Sequence, residues 1–198
     1  MKSIRPFPLF LFLAFFSMTA AAQRIKLTDG NLNGLKVENK INIEFTYDNM
    51  KVGKFEKEAD YVSDKAADLN KKEAGRGDSW SKAWVDDRAN QFEPKFKELF
   101  AQSSDITVDR SAKYTLIFKT TFTEPGYNVG VWRKNAEING DVWIVESADK
   151  TKPVAKISLQ KAIGRTFGGF DFDTGGRISE AYGDAGKALG KFIREEAK

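Results

Sequence analysis

Three stretches of this chain carry residue types that could do chemistry. At 126–134 the run "GYNVGVWRK" sets Tyr127 and Trp132 beside Arg133 and Lys134. Aromatic faces with neighbouring cations hold sugar rings, peptides or anionic groups, so Tyr127, Trp132 and Arg133 are the candidate ligand-binding residues. Trp132 has a competing use, folding back over one end of a sheet, because amphipathic aromatics generally find burial. At 171–176, "DFDTGG" places Asp171 and Asp173 two residues apart before glycines, like the first half of a calcium loop, where carboxylate oxygens suit a hard cation. Continuing that pattern puts Gly175 and Tyr182 where two further oxygen ligands are required. The same segment also reads as a glycine-rich turn in which Asp173 or Thr174 caps the final helix; no cofactor is assigned. At 75–80, "GRGDSW" contains Arg76-Gly77-Asp78, the tripeptide that animal integrins bind. Its local reading is a connection between helices. Gly75 ends one helix in a left-handed conformation, Gly77 lets the chain reverse, and Asp78 or Ser79 caps a helix beginning near Trp80.

Two absences narrow the catalytic options. The chain has no His and no Cys, which removes the usual general base near neutral pH, the commonest metal ligand, thiol nucleophiles and thiolate metal sites. Histidine-dependent serine triads and zinc hydrolase motifs are thereby excluded. Carboxylates remain. Asp86 and Asp87 are adjacent on a helix and so point about 100° apart, which suits solvation. Glu44 and Asp48 share a strand face with Lys119 expected across from them, the ordinary geometry of a cross-strand ion pair. A carboxylate-based glycan hydrolase would need two carboxyls converging on a cleft, and stays as an alternative. An adhesin acting through Arg76-Gly77-Asp78 is a second. The leading expectation is a non-catalytic binding or assembly domain with a protein, a glycan or another envelope component as its partner.

The N-terminus sets the compartment. Lys2 and Arg5 precede an apolar run from Leu9 to Phe16, and Ala20-Ala21-Ala22 supplies small residues for cleavage before Gln23. That order reads as a secretory signal peptide over 1–22, since the apolar run is well short of the roughly 20 residues needed to span a bilayer. No transmembrane segment is expected after cleavage, and the location is periplasmic or extracellular. Residues 23–198 then form a single domain. Cleavage lowers the formal net charge from +4 to +2, because the leader holds two basic residues and no acid. Charges of both signs are interleaved, so a nucleic-acid role has little support. Without disulfides, burial and hydrogen bonding must stabilise an exported chain alone.

Hydrophobic period supplies the elements that must position these residues. Leu35, Val37, Ile41, Ile43, Phe45 and Tyr47 fall on alternate positions and predict a half-buried strand over 35–47, bent near Asn39. Phe55, Ala59, Val62, Ala66 and Leu69 fall on one helical face. A second helix carries Trp80, Trp84, Phe92, Phe96, Leu99 and Phe100, with Pro94 predicting a kink or break near Gln91–Glu93. Strands follow at Tyr114–Phe122, Ala136–Ile144 and Ala155–Leu159, the first leaving through "EPGY" with Pro125 and Gly126 central in a type II turn. A shorter strand is expected at Arg24–Leu27, and a glycine-rich loop at 164–176. The last helix runs along Ile178, Ala181, Tyr182, Ala185, Leu189, Phe192 and Ile193. Gly183, Gly186 and Gly190 lie beside that stripe at about 1 kcal/mol each relative to alanine, which predicts a close approach of this helix to the sheet.

Strand, helix, helix, three strands, helix is the order of an α+β two-layer sandwich: an antiparallel or mixed sheet of four to five strands with three helical segments mainly on one face. Over roughly 35–196 this order, the strand-to-turn "AKYTLIFKTTFTEPG" and the paired strands "AEINGDVWIVESADKTKPVAKISL" resemble envelope α/β domains. Examples are the N-terminal domain of TolB, the curli-secretion lipoproteins and the outer-membrane activators of penicillin-binding proteins. The chain is also similar to exported bacterial proteins without an assigned activity. The resemblance implies an envelope location and carries no functional residue across. The chain departs from the lipoprotein members in lacking a cysteine for lipidation.

Overall fold

The computed structural model describes residues 23–129, 132–165 and 173–197. In chain order these form β1 (Arg24–Gly30), β2 (Lys40–Thr46), β3 (Lys51–Val52), α1 (Glu58–Lys72), α2 (Arg76–Asp87) and α3 (Glu93–Ser104). There follow β4 (Thr107–Val108), β5 (Tyr114–Glu124), β6 (Tyr127–Val129), β7 (Trp132–Lys134), β8 (Ala136–Glu146), β9 (Asp149–Gly164) and α4 (Thr174–Glu196). The leader expected at 1–22 and Asp171 of the candidate metal loop lie outside the described residues.

The fold is α+β with a mixed sheet, as expected, but the sheet has seven strands rather than four or five, in the order β1-β9-β8-β5-β2-β4 with β3 also on β5. Alternation of β-branched and aromatic residues with polar ones makes β5 and β8 a long antiparallel pair at its centre. β2 runs parallel to β5. Parallel neighbours require a crossover connection, which α1, α2 and α3 supply. The extra strands are short or lie at the edges: β3 and β4 have two residues each. β9 extends to 16 residues and so can take β1 on its outer side. The strand expected over 35–47 begins only at Lys40; Val37 is 87% exposed in the preceding loop, and Leu35 is buried from a 3-10 turn (Asn33–Leu35).

One face of the sheet carries the core. Ile41, Ile43, Leu116, Phe118, Val142, Ile144, Ile157 and Leu159 are buried there under Phe96 and Phe100 of α3 and Ile178, Tyr182, Ala185 and Leu189 of α4. The Tyr182 hydroxyl is paired at 2.7 Å with the Thr120 hydroxyl, so the buried phenol is satisfied. α2 passes into α3 through a π-turn (Arg88–Phe92) just before Pro94. Proline has no N–H to donate and its ring crowds the carbonyl four residues back; the widened turn accommodates both without breaking the rod, so the helical segments number three.

The glycines of α4 correct one expectation. A Cβ at Gly186 would overlap the Phe96 carbonyl, and one at Gly190 would press on the Phe100 carbonyl at 2.7 Å. The close approach is therefore to α3, while the large residues of α4 face the sheet. On α1 the inward face is likewise rotated from the expected one: Ala59 is exposed and Tyr61 turns inward instead. Its ring lies 5.8 Å from Phe55, 5.8 Å from Trp80 and 5.1 Å from Trp84.

Candidate binding groove

Six residues of α1 and α2 form one wall: Tyr61, Lys65, Leu69, Lys72, Arg76 and Trp80. Spacing of three or four keeps Tyr61 to Lys72 on one face of α1; α2 folds back along α1, which brings Trp80 to 5.8 Å from Tyr61, and all six line a cavity of about 580 Å³. The opposite wall is the Pro125-Gly126 turn with Tyr127, Asn128 and Val129 of β6; Thr174 and Arg177 from the start of α4 complete the lining. The β6–β7 ribbon pairs only with itself among the described strands. Gly126 sits at φ +67, where glycine is favoured, and a Cβ there would meet the Lys134 carbonyl oxygen at 2.5 Å.

Arg177 ties the two walls together. It is 7% exposed, and its guanidinium donates to the Pro125 carbonyl at 3.4 Å, the Gly126 carbonyl at 3.5 Å and the Thr174 hydroxyl at 3.1 Å. Asp173 accepts from the Gly176 N–H at 2.7 Å and caps α4, which fixes the helix end that presents Thr174 and Arg177. Burial pushes the Tyr61 hydroxyl up to about 12, with the Glu124 charge adding to the rise and Arg177 opposing it. Tyr61 is therefore a neutral donor at physiological pH.

The groove is cationic. Lys65, Lys72, Arg76 and Arg177 line it, and among the described residues no lining residue is a carboxylate. Arg76 reaches Glu73 only at 3.8 Å, whereas Lys65 and Lys72, both exposed, form no ion pair among the described residues. Elsewhere on the surface most cations are paired, for example Lys71 with Asp68 at 3.3 Å and Lys134 with Glu124 at 2.6 Å.

Of the residues singled out in the sequence, Tyr127 lines the groove and is 46% exposed. Trp132 is 72% exposed, so it does not fold back over the sheet. It pairs with Val129, and Arg133 pairs with Asn128, on the outer strand of the ribbon; neither lines the cavity. Lys65, Lys72, Tyr61 and Arg177 were missed, although the spacing of Tyr61, Lys65, Leu69 and Lys72 is visible in the sequence as one face of α1. Among the described residues no group of three or more acidic side chains could hold a metal ion.

The Arg76-Gly77-Asp78 stretch lies within the first turn of α2, which starts four residues earlier than expected. Gly75 is left-handed at φ +79, as anticipated. The cap, however, is neither Asp78 nor Ser79. The Gly77 N–H donates to Asn70 Oδ1 at 2.7 Å, and Asn70 Nδ2 donates to Asp78 Oδ1 at 3.1 Å. A Cβ at Gly77 would overlap the Ala66 carbonyl, so glycine is needed where the two helices cross. Arg76 and Asp78 project about 200° apart around the axis.

A second cavity, of about 600 Å³, opens beside β2 with Glu44, Glu93, Lys97, Arg110 and Lys150 on its walls. Glu44 pairs with Lys150, at 2.7 and 2.9 Å, and not with Lys119, which stands 2.9 Å above the Trp143 ring. Lys150 holds the Glu44 carboxyl below its usual range, the opposite of what a general acid needs. Glu93 faces Lys97 at 3.7 Å. Asp87 is raised by burial but accepts from Gln91 at 2.6 Å beside the start of α4 and lines neither cavity.

The sequence matches no protein-family model and no curated protein. Two solved structures of the PelC dodecamer from Paraburkholderia phytofirmans, one a single-residue variant, are similar to it at 10% identity and a TM-score of 0.34. Each alignment covers 82% of this chain, and 96% or 97% of the PelC chain. Among the described residues, no helix is long and apolar enough to cross a membrane.

Proposed function

We propose that residues 23–198, exported by the leader at 1–22, form one non-catalytic domain that binds an anionic component of the bacterial cell envelope in the groove between α1–α2 and β6. The observation that carries this reading is the pair of lysines, Lys65 and Lys72, without an ion-pair partner among the described residues, in a groove whose described lining has further cations, three aromatic rings and no carboxylate. Cations left without partners in a concave site keep their full attraction for an incoming anion, and the low-dielectric walls focus it. The rings of Tyr61, Trp80 and Tyr127 add apolar contact at low entropic cost.

The test is capture from a solubilised envelope fraction by immobilised 23–198 chain. Reversal of both lysines, Lys65→Glu with Lys72→Glu, is expected to remove the captured component, whereas Lys150→Glu at the second cavity leaves capture intact. Equal capture by all three proteins overturns the groove as the site. Export is checked by fractionation and by the mass of the mature chain, which is expected to begin at Gln23.

A further inference from the structure

We infer, building on the binding reading above, that the ligand of the groove is a linear carboxylated glycan, one acid per sugar unit, laid along the face of α1 from Tyr61 to Lys72. Lys65 and Lys72 stand in series along α1 rather than converging. Lys65 and Lys72 are seven residues apart on α1, about 10 Å along the axis at roughly 1.5 Å per residue, and Arg76 of α2, which folds back along α1, adds a third charge to the same wall. A lone phosphate or carboxylate meets one of them; a chain with a charge on every unit meets them all.

Between the charges stand apolar faces, Leu69 in the same line and the rings of Tyr61, Trp80 and Tyr127 on the floor and opposite wall. A uronate unit carries both requirements, a carboxylate at one edge and a face of C–H groups that stacks on an aromatic ring. Neutral glycans would leave the lysines unused. Nucleic acid also combines charge with flat rings, but its binding surfaces are broad and basic. Here the cationic strip is narrow: Asp68 and Glu73 are exposed beside it, paired to Lys71 and Arg76 at 3.3 and 3.8 Å, and would repel a wider polyanion.

The experiment is calorimetric titration of the 23–198 chain with oligogalacturonate, with the same oligomer after carboxyl reduction, with monomeric galacturonate and with oligothymidylate. The expected result is binding of oligogalacturonate that weakens with salt and drops about tenfold in Lys65→Glu/Lys72→Glu, as two exposed charge contacts are reversed. A shallower salt dependence is expected in that variant. Tyr127→Ala weakens binding at unchanged salt dependence, a readout that a folding defect would not give. The reduced oligomer and the monomer are expected not to bind measurably. Monomer binding as tight as the oligomer overturns the linear ligand, and oligothymidylate binding as tight overturns the glycan. If no uronate binds while envelope capture still depends on Lys65 and Lys72, the ligand class is wrong and the groove stands; if neither depends on them, both fail.

Discussion

The α3–α4 seam and the groove are built from the same inventory of glycines, aromatics and cations and use them in opposite ways. At the seam every group is committed. Gly186 and Gly190 let the α4 backbone reach the carbonyls of Phe96 and Phe100, and the Phe96 ring stacks on Phe100 at 6.2 Å and tilts against Phe118 at 5.0 Å. In the groove, Lys65 and Lys72 have no carboxylate partner among the described residues and Tyr127 stands half in solvent. Packing of the first kind stabilises; groups left uncommitted contribute little to stability and are available to a ligand. The contrast separates residues that hold the fold from residues that can act.

Substitution at the seam should therefore be costly and substitution in the groove nearly silent in stability. Gly186→Val should cost about 3 kcal/mol or more by urea unfolding, because the added carbon overlaps a backbone oxygen that cannot swing aside. A loss under 1 kcal/mol would mean that α4 can slide on α3. Next in size is the helix junction. Asn70→Ala removes the cap on the Gly77 N–H and should cost about 1 kcal/mol, against about 0.5 kcal/mol for Asp78→Ala, whose exposed partner can turn to water. The reverse order would restore Asp78 as the cap.

The buried edge of the groove has its own titration. With the Tyr61 hydroxyl moved from 10.0 to about 12 by burial, the folded state holds that proton more tightly than the unfolded chain. Its contribution is fully present below pH 10 and lost as pH rises from 10 toward 12. Tyr61→Phe should flatten stability across that window, measured by denaturant melts at stepped pH; an unchanged slope would assign the alkaline loss to another group. Smallest of all, Lys65→Glu and Lys72→Glu should each shift stability by no more than about 0.5 kcal/mol, which is what allows them to report on binding alone.

The two regions also differ in how far the sequence reveals them. The stripe on α4 and the alternation in β5 and β8 are strong local patterns, and the structure follows them. The partner of the α4 glycines is not local: a small residue announces a close approach without saying to what, and α3 occupies the place expected of the sheet. Short strands such as β3 and β4 escape periodicity because two residues cannot display a period. Val37 fits the alternation of β2 yet lies outside the strand, since the 3-10 turn at Leu35 has already changed the chain's direction. The groove is harder still. Its walls come from residues near 61–80, 125–129 and 174–177, and only folding brings Lys72 and Tyr127 to one cavity. The aromatic loop was legible as a binding candidate; which of its members faces the helix stripe was not, because the cavity takes all three residues of β6 and none of β7, and tertiary packing decides which strand of a ribbon lies inward. Trp132 and Arg133 fall on the outer strand for that reason.

The central claim is that an anionic ligand enters between α1–α2 and β6 and nowhere else. Amide and lysine side-chain chemical-shift mapping of the labelled 23–198 chain during titration with oligogalacturonate tests it most directly. The account predicts perturbations concentrated at Lys65, Leu69, Lys72, Arg76, Tyr127 and Thr174, with the surroundings of Glu44, Lys150 and Trp143 unmoved. Perturbations centred on the Glu44–Lys150 cavity, with Lys65 and Lys72 silent, would contradict it.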